Sequence, residues 1–201
     1  MYLLLDMHLA FDIFQGLGIA AAAGIRPFLP ALVTGALAAG DIQINFDGTD
    51  YSFLESAPFL FAVLVAACVL ALAESRWRSR ADDKLMAMAI LVPSLGIGAV
   101  LFAGALAQDG GTSWPGLIAG VLCALIGAAA TVPLMRRVRA RLDPETAGAT
   151  GVFAEGAAIA VAGLSVLAPP VGVLALLALL WLLVSGLRRR PQKYAGLRIL
   201  R

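Results

Sequence analysis

The sequence predicts an all-α, polytopic membrane protein, a bundle of six transmembrane helices in one integral membrane domain over residues 1–201, with the first helix broken by prolines. Three observations predict it. Of 201 residues, 61% are hydrophobic and 14% charged, against roughly 45–50% and 25% in a water-soluble domain. Apolar stretches near the about 20 residues that span a hydrocarbon core recur along the chain. The basic residues fall into clusters between alternate stretches rather than spreading over a surface.

The stretches lie near 13–40, 57–73, 85–107, 116–135, 147–168 and 171–187. The opening segment, MYLLLDMHLAFDIF, has no Lys or Arg and so lacks the basic start of a secretory signal; it reads as part of the mature protein. Its Asp12 suits a cap at the entrance to the first span, and His8, the single histidine, reads as a surface residue at the membrane edge. The first span contains Gly24-Ile25-Arg26-Pro27-Phe28-Leu29-Pro30, where two prolines remove helix donors and predict a kink or break. The fifth and sixth spans meet at Leu167-Ala168-Pro169-Pro170, which predicts a tight hairpin. Ahead of the fifth span, Asp143-Pro144-Glu145 reads as a helix cap with proline at the first helical position.

Charge placement predicts the topology. Fourteen of the 15 basic residues form three groups: Arg76, Arg78, Arg80 and Lys84; Arg136, Arg137, Arg139 and Arg141; and a basic tail over 188–201. The connections 41–56 and 108–115 contain none. The positive-inside rule puts the three groups in the cytoplasm and, with six full spans, both termini with them. Trp77, Trp114 and Trp181 suit interfacial anchors. Three spans in each half would also permit a 3+3 inverted repeat, and Gly16-Leu17 loosely echoes Gly116-Leu117. Membrane lipids are the expected partners of the basic clusters; a net charge of +2 offers nothing for nucleic acid.

The chemistry-bearing residues are few. Arg26 lies about 15 Å from one limit of the run 16–40 and about 21 Å from the other by helical rise, near the bilayer midplane, where a cation must face a protein interior or a wet cavity. Pro27 and Pro30 leave the carbonyls of Ala23 and Arg26 without helix donors. Glu155, in the fifth span, has the depth to meet Arg26 or to carry a proton. Glu74 closes the second span beside the Arg76 group, where an interfacial salt bridge is the expected role. The site is therefore read as Arg26, Pro27, Pro30 and Glu155, with Glu74 a proton or salt-bridge partner.

Cys68 and Cys123 sit in apolar runs as small packing residues, and no metal ligand set, cofactor motif or nucleophile–base pair is present. An enzyme is not expected. Gly96, Gly98, Gly104, Gly116 and Gly120 suit close helix packing, and equally a homo-oligomer.

Residues 23–32 (Ala-Gly-Ile-Arg-Pro-Phe-Leu-Pro-Ala-Leu), Glu74, the Asp143-Pro144-Glu145 turn and Glu155 together resemble an uncharacterised bacterial membrane family, domain of unknown function 4126. The family's corresponding motifs read Ala-Gly-Leu-Asn-Ala-Tyr-Leu-Pro, Ser-Pro-Glu-Pro and a Glu-Asp pair. This chain has Arg26 in place of Asn, Pro27 in place of Ala and Gly156 in place of Asp. The resemblance implies the membrane fold and no particular substrate. The residues themselves suggest a small transporter or channel with a midplane polar site for an anionic solute or protons. The alternative is a non-transporting scaffold or accessory protein whose buried Arg and Glu are structural.

Overall fold

The computed structural model describes residues 2–77, 83–108, 110–139, 141–142 and 149–188. Within them the chain forms α1 (Tyr2–Ile25), α2 (Phe28–Ala38), a 3-10 turn (Ser52–Glu55), α3 (Ala57–Trp77), α4 (Asp83–Ala107), α5 (Trp114–Arg139), α6 (Ala149–Leu167) and α7 (Pro169–Arg188). All but α2 are long and apolar enough to cross a membrane, and the protein is a multi-pass helical bundle. Arg78, Arg80, the Asp143-Pro144-Glu145 turn and the tail beyond Arg188 lie outside the described residues, as do the side chains of Trp77 and Lys84.

Helix α1 forms the centre, packed on α4, α5, α6 and α7. Lipid is as apolar as leucine, so helices in a bilayer gain little from hiding leucines from it and associate through close backbone approach instead. Residues Ala20 to Ala23 are completely buried, and a Cβ at Gly24 would run into the backbone of Ala124 on α5. Gly120 meets Gly98 in the same way, and Gly18 meets Gly172. Most of the glycines expected to join helices or copies are thus used between helices of one chain, whereas Gly96 faces open space.

The first apolar stretch differs from its expectation. Residues 13–40 do not cross as one kinked helix; α1 ends at Ile25, α2 starts at Phe28, and the chain doubles back between them. The Gln15 side-chain amide donates to the carbonyl of Gln43 at 3.1 Å. Ile25 lies about 15 Å along α1 from Gln15 by helical rise, so an α2 running onward would carry Gln43 far out of reach. Left-handed backbone at Asp41 and Gln43, with φ 53° and 61°, helps turn the chain after α2.

The same end of the bundle gathers the far ends of α4 and α6. Gln108, just past α4, donates through its amide to Asp12 at 2.5 Å and to Gln15 at 3.1 Å, and Gln15 also reaches the Val166 carbonyl near the end of α6 at 3.3 Å. Asp12 is therefore no helix cap; it lies inside α1, buried in a polar cluster. Arg76, Arg136, Arg137, Arg139 and Arg188 occupy the last turns of α3, α5 and α7 at the opposite end. Two sequence expectations change as a result. The N-terminal part of α1 enters from the end that holds the acidic 41–56 connection, not from the basic end, and a first segment that returns to its own side removes the premise of the 3+3 repeat. The α6–α7 hairpin is as predicted, with Ala168 alone between the helices and Pro169 opening α7, where its missing N–H has no partner to lose.

In the 41–56 connection, Glu55 accepts from the backbone N–H of Phe46 at 3.2 Å. Burial, and then the negative Asp47 and Asp41, nonetheless hold its carboxyl above the usual carboxylate range. A raised carboxyl binds its proton more tightly folded than unfolded, so its contribution to stability is complete below the ordinary glutamate value and is lost as pH rises through the raised one. Thermal unfolding in detergent across the acid range is expected to show this decline, and Glu55→Gln, which keeps an acceptor for Phe46, to flatten it. An unchanged pH profile in the variant would remove Glu55 as its source.

Candidate functional site

The turn between α1 and α2 follows from its two prolines. A residue before proline is pushed out of helical geometry, so the helix stops at Ile25 and Arg26 takes the bend. Pro27 occupies the cap position of α2 with φ −70° and ψ −46°, and Pro30 lies in the first turn, where backbone N–H groups have no intrahelical acceptor. Neither proline costs α2 a hydrogen bond.

The bend lies deep in the bundle. Gly24 abuts Ala124, close to the middle of α5 (Trp114–Arg139), so the backbone of Arg26 reaches the mid-depth that the sequence predicts. Its side chain is buried and runs toward the basic end, where Nη1 donates to Glu74 Oε1 and Nη2 donates to Oε2 at 3.1 Å. The planar fork of arginine matches both oxygens of one carboxylate. Glu74 belongs to the last turns of α3, so the long arginine stem spans apolar depth while its charged head meets a partner nearer the helix ends.

The first turn of α6 covers the pair. A Cβ on Gly151 would lie 3.5 Å from Arg26 Nη2 and 3.9 Å from Glu74 Oε2. Glu155 follows Gly151 by four residues and so shares its helix face. It lines a pocket of about 190 Å³ together with Arg26, Pro27, Phe28, Cys68 and Ala71. Among the described residues Glu155 makes no hydrogen bond or ion pair.

The structure thus brings Arg26, Pro27 and Glu155 to one pocket, places Pro30 in the adjoining turn and gives Arg26 to Glu74 instead of Glu155. The bridge expected from Glu74 to the Arg76 group is not made by Arg76 itself, since residues two apart on a helix point to different faces; Arg78 and Arg80 lie outside the described residues. Glu74 is the lone carboxylate of α3, and that was the available signal. The cluster of Asp12, Gln15 and Gln108 was missed; Asp12 and Gln15, three apart on one helix face, were the hint. Among the described residues no group of His, Cys, Asp and Glu could hold a metal ion.

The pair also fastens α3, which otherwise packs mainly on α2 and the 3-10 turn. Arg26→Ala or Glu74→Ala leaves an uncompensated buried charge and is expected to cost about 3 kcal/mol. Arg26→Met combined with Glu74→Leu should recover most of that loss, as read from unfolding in detergent. Losses that simply add in the double variant would show that the two groups are not coupled.

Comparison with known families gives one result. Residues 13–189 match the model of the family described as Domain of unknown function (DUF4126). Neither curated proteins nor solved structures give a match. The matched segment takes in the α1–α2 bend, Glu74, the Gly151–Glu155 face and every helix through α7, and the chain belongs to this family.

Proposed function

We propose that the protein is a small permease that moves protons or a small monovalent cation through the pocket at Glu155, with the Arg26–Glu74 link as its gate. The observation that carries this reading is the charge balance. Arg26 and Glu74 neutralise each other, and both arms of the guanidinium are engaged. Among the described residues Glu155, facing the pocket, remains without an ion-pair partner. An intramembrane carboxylate without a partner calls for a proton or cation, while an anion would have to displace Glu74. The anionic solute suggested by Arg26 in isolation therefore gives way to a cationic one. Breakage of the bidentate link would free the guanidinium to move one helical turn, about 6 Å, along the α6 face from Gly151 to Glu155. With the basic helix ends in the cytoplasm of a bacterial inner membrane, the α1–α2 hairpin would enter from the outside.

Proteoliposomes loaded with a pH-sensitive dye test the reading. The wild-type protein should collapse an imposed pH gradient, or a sodium or potassium gradient, faster than empty vesicles, and Glu155→Gln should return the rate to that of empty vesicles. Equal rates for wild type and variant would sink the proposal, as would no flux of any of these ions. Cys68 supplies a second measurement, because it is exposed on the pocket wall while Cys123 is buried. A cationic methanethiosulfonate should modify Cys68 faster than an anionic one, and Glu155→Gln should abolish the difference.

A scaffold role has one observation in its favour, the fastening of α3 by the ion pair. It predicts the same stability losses on breaking the pair and no flux in any vesicle.

A further inference from the structure

A second notch lies between α5 and α7 at the basic end, far from Glu155, and takes no part in the reading above. Its volume is about 170 Å³ and its walls are Ala130, Leu134 and Arg137 on α5 with Trp181, Leu182 and Ser185 on α7. The spacings of four and three residues on each helix make two facing stripes. Both stripes change character in the same direction. Ala130, Leu134 and Leu182 line the part deeper in the bundle, and Arg137 and Ser185 line the part nearer the helix ends.

Arg137 is an exposed side chain at the mouth of the notch. Its Nε donates to the carbonyl of Pro133 at 3.1 Å, which orients the fork. A Cβ on Gly186 would lie 3.2 Å from Nη2, so the guanidinium rests against α7 where that helix has no side chain. Among the described residues neither terminal nitrogen has a hydrogen-bond partner, and two parallel donors match two oxygens of a phosphate. Trp181, 68% exposed, stands beside the notch with the amphipathic ring that favours headgroup depth.

We infer that this notch binds the phosphate of an anionic phospholipid, with Arg137 on the phosphate oxygens and the first acyl carbons against Leu134 and Leu182. A basic pocket between membrane helices at the cytoplasmic end suits such a headgroup. The gradient from guanidinium to leucine along both walls distinguishes it from a site for free phosphate, which would have no use for the apolar floor.

The test uses the full chain with Trp77→Phe and Trp114→Phe, so that Trp181 is the remaining fluorophore. Brominated phosphatidylglycerol in detergent micelles should quench Trp181 more strongly than brominated phosphatidylcholine. Arg137→Gln should lower the apparent affinity for the anionic lipid about fivefold, whereas Arg136→Gln, which removes the same charge outside the notch, should leave it nearly unchanged. Equal losses in the two variants would show a diffuse basic surface and overturn the site. Relief of quenching by millimolar inorganic phosphate would assign the notch to a soluble phosphate and overturn the lipid assignment. Equal quenching by both lipids would do the same.

Discussion

The fold depends on what happens to one arginine whose backbone lies at mid-depth. Arg26 precedes a proline, so its backbone cannot continue the helix. Its charge cannot stay bare in an apolar interior. Both demands are met together: the chain turns at Arg26-Pro27, which orients the side chain away from the bend toward the basic end, and Glu74 receives it through both oxygens. The turn fixes where α2 runs, and α2 with the ion pair fixes where α3 sits. A carboxylate with a single oxygen in reach, or an arginine one turn earlier in α1, would leave either the charge or the third helix without its anchor.

The hairpin is held at its other end by hydrogen bonds rather than charge pairing. Gln15 connects to Gln43 and Val166, and Gln108 ties Asp12 to Gln15. Long polar side chains here supply donors to carbonyls that helix ends leave free. Between the two anchors α1 carries little but alanine and glycine, and its neighbours approach until backbone touches backbone. Two buried hydroxyls are absorbed locally: Ser94 and Ser165 each donate to a carbonyl four residues back, at 2.8 and 2.6 Å, and so pack as small residues. Among the described residues Glu155 stands out as a carboxylate on a helix face without a hydrogen-bond or ion-pair partner.

Packing strength is unequal across the bundle. The contacts of α1 with α4, α5 and α7 rest on glycines whose replacement would push backbones apart, so this part is stiff. By contrast α3 presents most of its surface outward, including Phe61, Val69 and Leu72, and leans on α2. The pocket lies on the boundary between the stiff part and the loosely held helix, lined by α2, α3 and α6. The ion pair beside this pocket ties α3 to the α1–α2 bend.

Composition and spacing alone determined the membrane class, the extents of the later helices and the proline hairpin between α6 and α7. Each of these follows from local properties: apolar length and missing N–H donors. The reversal after Ile25 was not legible, because a kinked pass and a hairpin share the same residues and differ only in where Gln43 finds Gln15. The choice between Glu74 and Glu155 was equally out of reach. The sequence names both carboxylates as salt-bridge partners, and which one meets the guanidinium depends on the rotation of α3 and α6 about their axes, set by contacts distant in sequence. Hydropathy measures how deep a residue lies; only the packed helices decide what it faces.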